Sequence, residues 1–406
     1  MLHTETFGPL RHRPFAVLVT ASLLANLGNT IQSVGASWHL TQAGYPADVV
    51  ALVQTAYNLP IMLLGLPAGA WSDMVDKRQL LLLALGGMLA VSLLLSLTTW
   101  LGLAGPWVIL GLTAALACGV ACVIPAAASS VNQAVPRAEL AAGVALNILG
   151  FNVARSFGPA LGGAVVSLGG ASAAFAVNVA VYGLVIALLW RWRLPPVERP
   201  ARRPVWPVMM EGLRFAWQTP QLRAVVLRAF TFTLTGAAAW AVMPLLASQV
   251  LGRGSFVYGL LLAALGLGAV LGAGSATWFR RRFTAEQIIR VSCVTYGAAC
   301  VAVALEPGLP ITLALLVVGG AGWVQALSGF AVAGQLWADR AVVGRISSIV
   351  SGVTFGGIAL GSWTWGHFAD AQGITMAFMA SGVAMIVLPL LGLVLPMPAH
   401  RSAGAD

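Results

Sequence analysis

Apolar stretches of 18 or more residues, separated by short polar or glycine-proline punctuation, recur along the whole of this 406-residue chain. At ~1.5 Å of rise per residue each is long enough, as a helix, to cross a ~30 Å hydrocarbon layer. Twelve such helices are predicted, at residues 14–38, 48–71, 79–99, 105–131, 141–168, 171–191, 222–250, 256–279, 286–305, 309–336, 345–369 and 373–395. The runs are too long and too uniform for the alternating strands of a membrane β-barrel. The first run follows Arg11 and Arg13 but has no small-residue cleavage site, so it reads as a spanning helix and not as a signal peptide.

The pattern repeats. At a constant offset of 203 residues, half the length, Gly69 meets Gly272, Ser72 meets Ser275, and Lys77-Arg78 meets Arg280-Arg281. Further on, Arg137-Ala138 meets Arg340-Ala341, Gly158 meets Gly361, Gly163 meets Gly366, Gly170 meets Gly373 and Phe175 meets Phe378. Glycine is common, so the weight lies in one ungapped shift holding across two stretches. A duplicated six-helix unit is the expected result, and two related halves in a membrane are the plan of a secondary transporter.

Charged residues make up 8% of the chain and apolar residues 59%, which leaves too little polar surface for a water-soluble fold. The net charge of +10 is a matter of placement. Arg11, Arg13, Lys77, Arg78, Arg137, the arginines from Arg191 to Arg228, Arg280 to Arg282, Arg290, Arg340, Arg345 and Arg401 fall on one side of the twelve predicted spans. Arg253 falls on the other, and Arg155 lies inside a span. By the positive-inside rule both termini are cytoplasmic, and the basic excess reflects topology and not nucleic-acid binding. Cys118, Cys122, Cys293 and Cys300 all lie in apolar runs, where cysteine behaves as a small hydrophobe.

The longest polar segment, Arg191 to Arg223, is rich in proline and arginine. The expected organisation is therefore a six-helix bundle at 1–190, a cytoplasmic linker at 191–221 and a second bundle at 222–406. Within the linker, Met209 to Gln218 predicts a short helix on the membrane surface, with Leu213, Phe215 and Trp217 at headgroup level and Arg214 towards phosphates.

Between the second and third spans stands Gly69-Ala-Trp-Ser-Asp73-Met-Val-Asp76-Lys77-Arg78. A tight turn here sets a carboxylate at the end of one helix and two cations at the start of the next, an arrangement suited to a contact that breaks and reforms. The segment resembles the signature loop of the major facilitator superfamily, Gly-x-x-x-Asp-Arg-x-Gly-Arg-Arg. Gly69, Asp73, Lys77 and Arg78 match it, while Met74 and Asp76 depart from it. ALVQTAYNLPIMLLGLPAGAWSDMVDKRQLLL, RSFGPALGG, EGLRFAWQTPQLRAVVLRAF and FGGIALGSWTWGHFAD together resemble the bacterial branch that holds the enterobactin exporter and the transmembrane secretion effectors. The resemblance implies an all-α membrane fold of twelve helices in two pseudo-symmetric bundles. It also implies export of a small organic molecule from the cytoplasm, driven by proton exchange.

Gly158, Pro159, Gly162 and Gly163 in the fifth span resemble the core of the antiporter motif of that superfamily, although Ala154 stands where its long form has a glycine. Physically, the glycines admit close helix contact and the proline removes a backbone donor. Arg155, near mid-span, costs roughly 2.5–3.5 kcal/mol to insert on translocon scales, so a paired role is expected. The partner is either an anionic or carbonyl-rich substrate, or helix carbonyls and neighbours such as Asn147 and Asn152.

Asn26, Asn29, Thr30 and Ser33 recur at steps of three and four in the first span and predict a polar face lining a substrate path. Asn58, Asn152, Trp323 and Gln325 are assigned to the same cavity. Polar side chains in membrane helices also bond their own backbone, which is the plainer reading of the stripe.

No phosphate-binding Gly-x-x-x-x-Gly-Lys-Ser/Thr loop occurs, which points to an ion gradient and not ATP as the drive. His39, Asp48, His367 and Asp370, near the outer mouth on this topology, are the candidates for proton coupling, each readable also as a loop charge or a helix cap. The expected partners are a small-molecule substrate, a proton or other coupling ion and the lipid bilayer. No cofactor or metal is called for, the chain is expected to act as a monomer in the bacterial inner membrane, and clustered His or carboxylates at enzyme spacing are lacking. A lipid translocator or importer of the same fold is the nearest alternative, and a non-transporting receptor a more distant one.

Overall fold

A computed structural model describes residues 7–191, 205–337 and 343–397; within these, the side chains of Ala70, Asp73, Ala141, Val205, Trp206, Val208, Met209 and Val343 are outside the description. The described residues are helical almost throughout. The long elements are α1 (Arg13–Gln42), α2 (Ala47–Met74), α3 (Lys77–Trp100), α4 (Pro106–Ala134), α5 (Leu140–Trp190), α6 (Val205–Gln218), α7 (Pro220–Gly236), α8 (Ser255–Arg282), α9 (Ala285–Ala304), α10 (Leu309–Leu336), α11 (Val343–Gln372) and α12 (Ile374–Val387).

Ten helices among the described residues are long and apolar enough to cross a membrane, against twelve expected runs. The difference has two physical causes. The runs at 141–168 and 171–191 are continuous in α5 but broken at Gly170, whose φ of 71° and ψ of −176° are not helical. The run expected at 222–250 is interrupted. After Gly236 it continues as Ala238–Ala241, Met243–Leu245 and a wide turn, Leu246–Val250. Pro244 has no N–H to give the preceding turn and its ring crowds that turn's carbonyl, so a straight helix stops there.

The chain forms two compact units that trade segments. The first contains residues 1–45, 63–203 and 253–263; the second contains 46–62, 204–252 and 264–406. The start of α8 thus packs with first-half helices, and the start of α2 packs with second-half helices.

In the first unit α1 lies along both segments of α5 at close range. A Cβ built on Gly35 would meet that of Ala174 at 2.9 Å, and one on Gly162 would meet the Ile31 Cα at 3.0 Å. Without a hydrophobic drive between helices in lipid, such small residues let dispersion contacts form between backbones. Between α1, α3 and α5 sits a fully buried polar group: Ser92 donates to Gln32 Oε1 at 2.7 Å, and Asn178 Nδ2 donates to the same oxygen. Gln32 lies off the predicted polar stripe of α1 and was not among the expected cavity residues.

In the second unit α9 meets α12 where Gly297 faces Gly382, and α8 meets α10 where Gly272 faces Ala321. Its core holds Phe232, Tyr296, Trp323 and Phe330, with Phe232 and Trp323 ring centroids 5.0 Å apart. A helix covers the stretch expected at 209–218 as α6. It exposes Leu213 and Trp217, and Glu211 pairs with Arg345 of α11 at 2.8 Å.

Candidate functional site

In the predicted gating loop, α2 ends at Met74 and α3 begins at Lys77, so the turn is as tight as the spacing required. Asp76 is the N-cap of α3, its side chain accepting from Gln79 N at 2.9 Å. That gives the departure from the signature loop a local purpose, since an N-cap carboxylate satisfies an orphan N–H. The two cations close other helices. Lys77 Nζ donates to Ser129 O of α4 at 3.4 Å, while Arg78 donates to Leu189 O at 3.2 Å and to Trp190 O at the end of α5. Arg78, on the last carbonyls of α5, meets the negative end of that helix's dipole. Gly69 has open space where a Cβ would stand. The Asp73 side chain lies outside the described residues.

The helix-five glycines lie in close contact with neighbouring helices. A Cβ on Gly158 would fall 1.9 Å from the Thr30 hydroxyl. One on Gly163 would fall 2.6 Å from Ser255 O and 2.9 Å from the Gly259 Cα, so α5 and the start of α8 touch backbone to backbone. Pro159 is buried beside them, and a Cβ on Gly259 would lie 2.5 Å from Pro159 O. Trp38 of α1 stacks on Tyr258 of α8 with centroids 6.0 Å apart.

The second unit has the matching arrangement at Gly366, the repeat mate of Gly163. A Cβ there would fall 2.3 Å from the Ala51 Cβ and 3.2 Å from the Asp48 Cα, bringing α11 onto the start of α2. Thr55 donates to Ala359 O at 2.7 Å along the same seam. Three of the four proton-coupling candidates gather here. His367 Nδ1 lies 3.8 Å from Asp48 Oδ2, Asp370 accepts from Ala47 N at 3.3 Å, and Trp363 stacks on the His367 ring. His39 belongs to the first unit, with its Nε2 3.0 Å from Ala104 O.

The predicted cavity residues divide. On α1, Asn26 donates to Ser22 O and Thr30 to Leu27 O, so part of the stripe does satisfy its own backbone. Asn29 accepts from the Tyr182 hydroxyl, and Ser33 is half-buried. Asn58 is buried and donates to Gln54 O at 2.7 Å. Asn152 and Arg155 are half-buried on α5. Trp323, 1% exposed, is a core residue here, and Gln325 donates to Gly272 O at 2.8 Å.

One ionic group escaped the sequence reading. Arg228, counted there among the cations on one side of the spans, is 4% exposed on α7 and donates to Glu286 at the start of α9. Glu286 also accepts from Arg290 Nε at 2.6 Å and from Met397 N at 2.9 Å, while Arg228 reaches Leu395 O at 3.3 Å. The isolated acid at position 286, one of only 12 in the chain, was the signal available.

The profile of the transmembrane secretion effector family matches residues 4–406. The chain belongs to that family. It is a multi-pass membrane transporter of the major facilitator type and not an enzyme. The chain is 26% identical to the multidrug efflux pump Tap of Mycolicibacterium fortuitum over 401 residues, covering 94% of this chain and 96% of that protein. It is 20% identical to the staphyloferrin A transporter of Staphylococcus aureus, covering 92% and 94%. Among solved structures, a bacterial homologue of the human lysosomal transporter Spinster, inward-facing and unoccupied, superposes with a TM-score of 0.73 at 17% identity, covering 95% of each chain.

Proposed function

We propose that this transporter exports a small, anionic or carbonyl-rich organic molecule across the bacterial inner membrane, with both termini cytoplasmic, by proton-coupled alternating access. The observation that carries the reading is the pair of repeat-related glycine contacts, Gly163 on Gly259 and Gly366 on Ala51. In each, a first-half helix meets a second-half helix through small residues, with side-chain ties such as Thr55 to Ala359 O. Contacts of this kind can separate without stranding buried charge, as a seal that opens once per cycle requires.

Arg155 in the first half sets the charge preference, since a cation held inside a span favours an anionic cargo. A relative that carries a siderophore fits that preference. Proton coupling is assigned to the seam between α11 and α2, where His367 Nδ1 lies 3.8 Å from Asp48 Oδ2. The bundles, at 1–190 and 222–406 with the linker between, act as the two moving halves, and the chain works as a monomer.

Uptake by everted membrane vesicles tests the reading, with ethidium as a cationic probe and staphyloferrin A as an anionic one. Accumulation of the anionic probe that needs an imposed proton gradient is the expected result. Accumulation of ethidium alone would overturn the charge preference, and accumulation of neither probe would overturn export.

A further inference from the structure

The second unit holds a cavity of about 370 Å³ between α8, α9 and α10, where Gln325, expected from the sequence to line the substrate path, is instead part of the wall. That volume lies within the range of ligand sites, ~300–1,000 Å³. Its walls include Leu271, Phe279, Phe283, Val291, Val318 and Gln325. Leu271, Val291 and Val318 are each more than half exposed, and in a membrane that exposure is to acyl chains. Two of the polar wall side chains are already engaged with helix carbonyls or each other. The Ser275 hydroxyl donates to Leu271 O at 2.9 Å, and the Gln325 amide donates to Gly272 O and Ser275 Oγ. The groove therefore offers mainly apolar surface.

The end of the groove at Phe279 and Phe283 is different. Trp278, Phe279 and Phe283 form an aromatic rim, with Trp278 and Phe279 centroids 4.9 Å apart, and the Arg282 guanidinium sits 4.4 Å over the Trp278 ring. Arg280, Arg281 and Arg282 are exposed on the last turn of α8, and none pairs with a carboxylate among the described residues. Aromatic rings mark headgroup level, and clustered cations beside a gap between membrane helices hold anionic headgroups. We infer that this groove binds one anionic phospholipid of the cytoplasmic leaflet, an acyl chain lying between α8, α9 and α10 and the phosphate held by Arg281 and Arg282. The cations disfavour a lipophilic cation at the same mouth, and the apolar depth disfavours free phosphate.

Native mass spectrometry of the full-length protein in neutral detergent, after incubation with palmitoyl-oleoyl phosphatidylglycerol or phosphatidylcholine, tests the assignment. Phosphatidylglycerol is expected to be retained over phosphatidylcholine. The Arg281→Gln, Arg282→Gln double variant should lower its retention by about fivefold per charge removed and leave phosphatidylcholine unchanged. Val318→Trp, which fills the groove from an exposed position, should lower retention of both lipids. Excess glycerol 3-phosphate should fail to displace the lipid. Equal retention of the two lipids, or a double variant without effect, would overturn the headgroup site. Full retention in Val318→Trp, or displacement by glycerol 3-phosphate, would overturn the groove.

Discussion

Gly163 and Gly259 stand so close that a Cβ built on either lies 2.9 Å from the other's Cα. The repeat mate of Gly163, Gly366, makes the equivalent approach to Ala51. Gly163→Ala and Gly259→Ala must therefore push backbone apart, and each should cut transport at least tenfold while the protein still inserts. Gly111→Ala, where nothing lies within 4 Å, should transport at the wild-type rate. Vesicle uptake normalised to protein level reads the comparison.

The Arg228–Glu286–Arg290 group ties α7, α9 and the segment Leu395–Met397 together. Glu286→Gln leaves Arg228 buried without its counter-charge, and breaking such a pair costs about 3–5 kcal/mol. The melting temperature of the purified variant should fall by several degrees. Arg290→Gln, at a half-exposed position, should lower it by much less.

Asn178→Ala removes one member of the buried group with Gln32 and Ser92. Losing a buried polar partner costs about 1–3 kcal/mol, and denaturant or thermal midpoints should show it. Asn26→Ala, which loses only a bond to its own helix, should stay near the wild-type midpoint.

Arg78→Gln should uncap the end of α5 at Leu189 and Trp190, costing about 0.3–1 kcal/mol from the dipole term. If the signature loop also gates, transport should fall further than this loss of stability explains, and Asp73→Asn should impair transport with expression intact. Transport by Asp73→Asn at the wild-type rate would remove the gate from the account.

What could be read in the sequence followed from how strongly each feature is forced. Apolar runs of membrane length have no other stable home, so the helices were legible, as was the helix ending at Gln218. The half-length offset also carried real geometry: Gly170 and Gly373 both take positive φ, 71° and 94°, at the start of the last helix of each half. The interruption near Pro244 was missed because that proline sits in a run whose hydropathy hides it. Partners were the least legible. Nothing in the spacing of Arg228 and Glu286, or of Gln32, Ser92 and Asn178, says that they meet. The stripe on α1 was visible, yet periodicity alone could not distinguish atoms bonded to their own backbone from atoms free for a substrate.

His367→Gln keeps a polar side chain but cannot take a proton, so it should flatten the pH dependence of transport while keeping the seam between α11 and α2. Uptake measured over a series of pH values checks this. A variant with an unchanged pH profile would move the coupling elsewhere.

The most direct test of alternating access is to lock one seam. In a background with Cys118, Cys122, Cys293 and Cys300 replaced by alanine, Thr55→Cys and Ala359→Cys place thiols on facing turns of α2 and α11. A short, reducible bis-methanethiosulfonate linker should abolish vesicle uptake, and dithiothreitol should restore it, with either single cysteine unaffected. Cross-linked protein that transports at the uncross-linked rate would show that this seam never opens and would contradict the account.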